Sequence, residues 1–258
     1  MGMRLSIITA MLTLFAPLGL SAQEKIASRE ITFRSGKEEI KGFLAMPSGD
    51  GPFPAIVVIH EWWGLNDWIK DQCIRLAGRG YVCLAPDLYR GKVATEMGTA
   101  RKLMSGMPRD RALRDLKGAV DALGLMKEVN REKLGVIGWC LGGGLALDLS
   151  LADKRLNACV ICYGRVITDP AKLESLEAKV LGIFGKEDRG IPVATVRQFG
   201  EALKKAGKKV EALHEYDAGH GFMRDKNGPT DNPEHRAEAT EKAWKEIDSF
   251  FASTLKAK

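Results

Sequence analysis

The chain has 258 residues, 45% hydrophobic and 28% charged, with a formal net charge of +6. That length suits one α/β domain with a sizeable core, and the composition is that of an ordinary globular protein rather than a disordered one. The excess of Lys and Arg is scattered among acids, with no basic block and no interleaved aromatics, which argues against a nucleic-acid partner and leaves room for an anionic small molecule.

Met1 to Arg4 gives a short basic start, 5–20 is mostly apolar, and Ser21-Ala22 offers a small-residue cleavage site. This pattern predicts a secretory signal peptide over 1–22 and an exported, secreted or periplasmic mature domain over 23–258; the apolar run is short for a membrane span. Strands are expected at 30–33 and 40–46, joined as an antiparallel hairpin through Ser35-Gly36-Lys37. The β-branched run at 55–59 reads as a central parallel strand buried on both faces. A helix over 67–79, a strand over 81–85 and a Met-rich helical stretch over 95–104 follow, the methionines reading as gap-filling apolar residues near a pocket. The next helix is expected from Pro108 to about Val129, with Leu113, Leu116, Val120 and Leu123 at helical spacing. Further strands are expected at 133–137, 158–163, 180–184 and 210–214, with helices over 145–152, 193–206 and 233–255. Alternation of this kind gives a mostly parallel sheet covered by helices on both faces, with ligands bound beyond the carboxyl ends of the strands.

The segment Gly138-Trp139-Cys140-Leu141-Gly142-Gly143-Gly144 lies between an expected strand and an expected helix. Strand, G-x-C-x-G, helix is the context of a nucleophile elbow. The turn is tight, so the positions two before and two after the nucleophile must be small, and the helix N-terminus favours a thiolate. A buried structural cysteine is the alternative; a phosphate loop is disfavoured because no Lys-Ser/Thr pair follows the glycines. A cysteine nucleophile needs a base and an acid that orients it. Of four histidines, His214 reads as a packing position, His235 as surface, and His60 precedes the nucleophile. His220, flanked by Gly219 and Gly221 after the last strand, is the candidate base. Asp188, after the preceding strand, is the candidate acid; Glu187 is a near competitor, and Asp217 points along the histidine's own loop. Nucleophile, acid, histidine is the chain order of α/β hydrolases. Five cysteines leave at least one unpaired; Cys73 and Cys83 could approach each other, while Cys159 and Cys162 read as small core residues. No cluster has metal-ligand spacing, so neither a metal nor another cofactor is expected.

The motifs HEWWGLN at 60–66, PDLY at 86–89, GWCLGG at 138–143, GKED at 185–188 and AGHGFMR at 218–224 together resemble the dienelactone hydrolase family, in register from about residue 29 to 254. The resemblance implies an α/β-hydrolase fold and a Cys140, Asp188, His220 triad that hydrolyses lactones or esters through an acyl-enzyme. It implies that Glu61 accepts a hydrogen bond from the resting thiol and gates it, with pairing to Arg224 as the alternative. It implies an oxyanion hole from the backbone N–H groups of Leu141 and Trp62, and an arginine pair gripping a substrate carboxylate. Arg224 matches one of that pair; Arg90 lies near the other, but directly after Tyr89, where the family's lactonases place a residue between. Three readings follow: a hydrolase of a small carboxylate-bearing lactone or ester, a broad-specificity exported esterase, and a hydrolase-like binding or thiol-redox protein. The intact triad pattern disfavours the third. Partners are expected to be small-molecule substrates, with no nucleic acid, no stable membrane insertion and a monomeric protein.

Overall fold

A computed structural model describes residues 26–224 and 235–256. The expected leader over 1–22 and the first residues of the closing helix, Pro233 and Glu234, lie outside the described residues.

The alternating apolar runs build one eight-stranded sheet. Strands β1 (Ala27–Ser35) and β2 (Glu38–Met46) form the expected antiparallel hairpin. β2 lies antiparallel to β4 (Val82–Pro86), and β3 (Phe53–Ile59), β5 (Val129–Trp139), β6 (Leu156–Cys162), β7 (Lys179–Gly185) and β8 (Val210–Tyr216) continue in parallel pairings. The order across the sheet is β1-β2-β4-β3-β5-β6-β7-β8. Crossover helices are α1 (Asp67–Ala77), α3 (Arg109–Gly124), α4 (Leu141–Ala152) and α5 (Val193–Lys205), with the shorter α2 (Met97–Ser105) before α3 and α6 (Ala237–Leu255) closing the chain.

The two-residue period of β3 divides the core. Ala55, Val57 and Ile59 face a cluster with Leu116 and Val120 of α3, Leu145 of α4 and Phe199 of α5. Ile56 and Val58 face a second cluster with Ile69 and Cys73 of α1 and Trp244, Ile247 and Phe251 of α6. Both faces of the central strands are dry, so their backbone polar groups are committed to the ladder and the strand ends are held rigidly. In the second cluster Trp139 is fully buried, set edge-on to Trp68 at 5.3 Å and near Trp244 at 6.1 Å. This anchors the residue immediately before Cys140.

Several expected boundaries move, among them those of α3 and α4. α3 stops at Gly124 and β5 begins at Val129, which pairs with Phe53; the residues between form a turn closed by the Val129 N–H on the Met126 carbonyl. α4 begins at Leu141, four residues before the expected start, so three poor helix formers occupy its first turn. All five cysteines are free, and Cys73, Cys83, Cys159 and Cys162 are buried. Burial raises all four thiols, Cys159 to about 12, as for inert packing residues.

Candidate active site

At the carboxyl end of β5 the chain turns directly into α4, and Cys140 occupies the turn at φ 54°, ψ −114°. A non-glycine residue at positive φ is held there only when its surroundings over-determine it. The Cys140 N–H donates to the Cys162 carbonyl at 3.0 Å, tying the turn to β6. A Cβ on Gly138 would come within 2.1 Å of the Gly142 carbonyl oxygen, and one on Gly142 within 2.3 Å of the Ile59 oxygen. The two glycines are therefore required by close backbone approach. The second of these contacts also seats the start of α4 on the end of β3, beside the loop carrying Glu61 and Trp62. Neither the Leu141 N–H nor the Trp62 N–H makes a hydrogen bond among the described residues, so both donors are available to a ligand oxygen.

The acid and the base come from the ends of β7 and β8. The Lys186 N–H donates to the Tyr216 carbonyl at 2.7 Å and the Glu187 N–H to the Ala218 carbonyl at 3.0 Å, which fixes the two loops to each other. Asp188 is 4% exposed. Its Oδ1 accepts from the N–H groups of Gly190 and Ile191 at 2.8 and 2.9 Å, and its Oδ2 meets His220 Nδ1 at 2.7 Å. A carboxylate so held fixes the imidazole's orientation and leaves Nε2 to face the nucleophile. Burial disfavours the charged ring, but Asp188 and the Cys140 sulfur outweigh it and push the His220 pKa up to about 10. The alternatives are placed elsewhere: Glu187 is exposed, and Asp217 pairs with Lys186 at the surface.

Glu61 is buried, 3% exposed, and burial lifts its carboxyl to about 7 against the opposing pull of Arg224 and His220. Arg224 Nε stands 3.3 Å from Glu61 Oε2, with the guanidinium 5.3 Å from the Trp63 ring centroid. The Tyr163 hydroxyl adjoins the same carboxylate without full hydrogen-bond alignment. Glu61 thus pairs with Arg224, and the Cys140 sulfur is engaged by His220.

Arg90 does not join the site. Its guanidinium binds Asp115 at 2.7 and 3.2 Å and Glu38 at 3.0 Å, and Asp115, 0% exposed, also takes the Ser35 hydroxyl. The physical reason is a buried carboxylate on α3 that requires a cation. This pairing weighs against the expected grip of Arg90 on a substrate carboxylate. Of the remaining histidines, His60 is fully buried and donates from Nδ1 to the Glu61 carbonyl, His214 approaches Glu246 at 3.7 Å, and His235 meets the Arg224 carbonyl.

Three residues at the site escaped the sequence reading. Tyr163, buried at φ 38° after β6, packs edge-on against His220 at 5.3 Å. Arg109 and Arg165 both hold Asp148 of α4, beside a cavity of about 230 Å³ that includes Cys140. An Asp inside the apolar run of α4 and an Arg three residues past a parallel strand were the available signals.

The strand order and the strand-turn-helix placement of Cys140 define an α/β-hydrolase fold. The dienelactone hydrolase family model matches residues 40–255. A Methylorubrum extorquens protein with the provisional name carboxymethylenebutenolidase is 34% identical over 226 residues, covering 82% of this chain and 76% of its own. A solved Klebsiella pneumoniae structure, provisionally named a dienelactone hydrolase, superposes with TM-score 0.80 at 28% identity, covering 88% of this chain and 99% of that one. The Pyrococcus horikoshii acylaminoacyl peptidase shares the fold, with TM-score 0.70 at 17% identity over 90% of this chain and 42% of its own. The chain belongs to the dienelactone hydrolase family and is a hydrolase of that class.

Proposed function

We propose that the chain hydrolyses a small lactone or ester that bears a carboxylate, through a thioester on Cys140. The observation that carries the proposal is Cys140 at positive φ on a two-glycine elbow, facing a histidine held by a buried aspartate. His220 takes the thiol proton, and Sγ attacks the carbonyl carbon. The developing oxyanion lies against the N–H groups of Leu141 and Trp62, where preformed donors act at full strength. Collapse breaks the carbon–oxygen bond, and His220 returns its proton to the leaving oxygen; in a lactone that alcohol stays attached to the acyl group. Water then attacks the thioester with His220 as base, releasing the acid and the thiolate. Glu61 gates the thiol, and Arg224 holds the Glu61 carboxylate in place. No step calls for a metal or other cofactor.

The chain is exported through the leader at 1–22 and acts as a monomer over 23–258; amino-terminal sequencing of the protein recovered from the cell envelope checks the first point and light scattering the second. Arg90 engaged by Asp115 favours a second reading, a broad-specificity esterase without an arginine pair. Rates on a dienelactone and on a neutral aryl ester, measured beside Cys140→Ala, decide between them. Preference for the lactone with a dead variant supports the first reading; turnover of the neutral ester alone supports the second; activity independent of Cys140 removes both.

A further inference from the structure

The elbow explains Gly138 and Gly142 but leaves Gly143 and Gly144 without a function. A Cβ on Gly164 would fall 2.4 Å from both the Gly143 carbonyl carbon and the Gly144 nitrogen, and one on Gly144 would meet the Arg165 Cβ at 3.2 Å. The glycines thus let the loop after β6 lie directly on the first turn of α4, which carries Arg165 to the mouth of the cavity beside Cys140. Arg109, at the start of α3, reaches the same place. Both bind Asp148, Arg109 through two bonds, its Nε at 2.9 Å, and Arg165 at 2.8 Å. Asp148 is 7% exposed, whereas the Arg109 and Arg165 side chains are 64% and 48% exposed. Two guanidinium charges against one carboxylate leave a net positive charge at the rim, with N–H donors beyond those that bind Asp148. The remaining walls are apolar, from Met104, Met107 and Leu145.

Neither His220, Glu61 nor Arg224 lines this cavity. The leaving oxygen must face His220 to collect its proton, so the leaving group lies on the other side of Cys140 and the acyl arm extends into the cavity. We infer that Arg109 and Arg165, held by Asp148, are specificity residues that select an acyl arm ending in an anionic group, its apolar body resting on Met104 and Met107. The inference rests on Cys140 as nucleophile and names which part of the substrate is charged and what reads it.

The test compares mono-4-nitrophenyl adipate with 4-nitrophenyl hexanoate, which share leaving group and acyl length and differ in the terminal carboxylate. The wild type favours the adipate. Arg109→Met and Arg165→Met each lower the adipate-to-hexanoate ratio of kcat/KM about tenfold, the scale of one charge-assisted hydrogen bond, and Arg165→Lys restores part of it. Both side chains are half or more exposed, and urea unfolding verifies that the variants fold. Ratios within about twofold of wild type in both variants, as for an unproductive surface ion pair, overturn the inference. Cys140→Ala separates the two ideas. Activity surviving that change overturns the nucleophile assignment and this inference with it, whereas a dead Cys140→Ala beside unchanged ratios overturns this inference alone.

Discussion

Replacing Asp188 by Asn keeps the shape of the acid and reverses one hydrogen-bonding direction. The amide oxygen can still accept from Gly190 and Ile191, as Oδ1 does at 2.8 and 2.9 Å. The amide nitrogen, however, replaces Oδ2, which stands 2.7 Å from His220 Nδ1. A donor there forces the ring into the tautomer with its proton on Nε2, the nitrogen that must accept the Cys140 proton. The matching change in a Ser-His-Asp triad removes about 10⁴ in kcat, so a loss of about 10³ to 10⁴ is expected, or about 4–5.5 kcal/mol of barrier. The fold loses about 1–2 kcal/mol through the weakened hydrogen bonds of a buried acceptor. The pH dependence gives a second readout. The His220 pKa is raised from 6.5 to about 10 in the folded protein, so the stability it contributes is fully present below 6.5 and is lost as pH rises toward 10. In Asp188→Asn that slope flattens, and alkylation of Cys140 by iodoacetamide slows at neutral pH because His220, in the wrong tautomer, no longer serves as its base. Turnover of a 4-nitrophenyl ester, urea midpoints from pH 6 to 10 and the alkylation rate are the assays. A variant retaining more than about a tenth of the wild-type kcat would refute the orienting role of Asp188.

Three further outcomes are expected. Glu61, with its pKa raised to about 7 by burial, contributes stability that is present below 4.5 and lost as pH rises through 7; Glu61→Gln keeps the shape of the protonated acid and does not titrate, so its urea midpoint should lie near that of wild type at pH 5 and gain on it at pH 7.5. Gly142→Ala drives a Cβ to 2.3 Å from the Ile59 oxygen and costs about 3 kcal/mol, as overpacking does; a midpoint change below about 1 kcal/mol would mean the elbow yields easily. Arg90→Leu leaves the buried Asp115 carboxylate with the Ser35 hydroxyl and Arg114 at 3.9 Å and destabilises by about 3 kcal/mol, while KM for a carboxylate-bearing ester stays within about twofold; a large rise in KM at unchanged stability would assign Arg90 to the substrate site.

The elbow was legible because its signal is local. Gly138 and Gly142 flank Cys140 within five residues; a Cβ on Gly138 is excluded by backbone the turn itself brings close, and one on Gly142 by the end of β3 on which the turn sits. The proximity of Asp188 and His220 was legible for a topological reason, since parallel strands deliver their following loops to one edge. Arg90 was not, because adjacency to Tyr89 says nothing about which face a guanidinium takes, and the deciding partner, Asp115, lies 25 residues away. The start of α4 was misplaced because three glycines argue against a helix, whereas close packing demands them, Gly142 against the end of β3 and Gly143 and Gly144 against the loop after β6. The extent of α3 was overdrawn because the register of Val129 against Phe53 is a tertiary fact. Asp148 stood out in an apolar run, but its partners Arg109 and Arg165 come from two other segments.

The central claim is that Cys140 carries the acyl group. Acid-quenched turnover of a 4-nitrophenyl ester, read by intact mass and peptide mapping, tests it most directly. The expected result is a mass increase equal to the acyl group minus one hydrogen, on the peptide containing Cys140, labile to hydroxylamine and absent from Cys140→Ala. Steady turnover with no adduct at Cys140, or with the adduct on another residue, would contradict it.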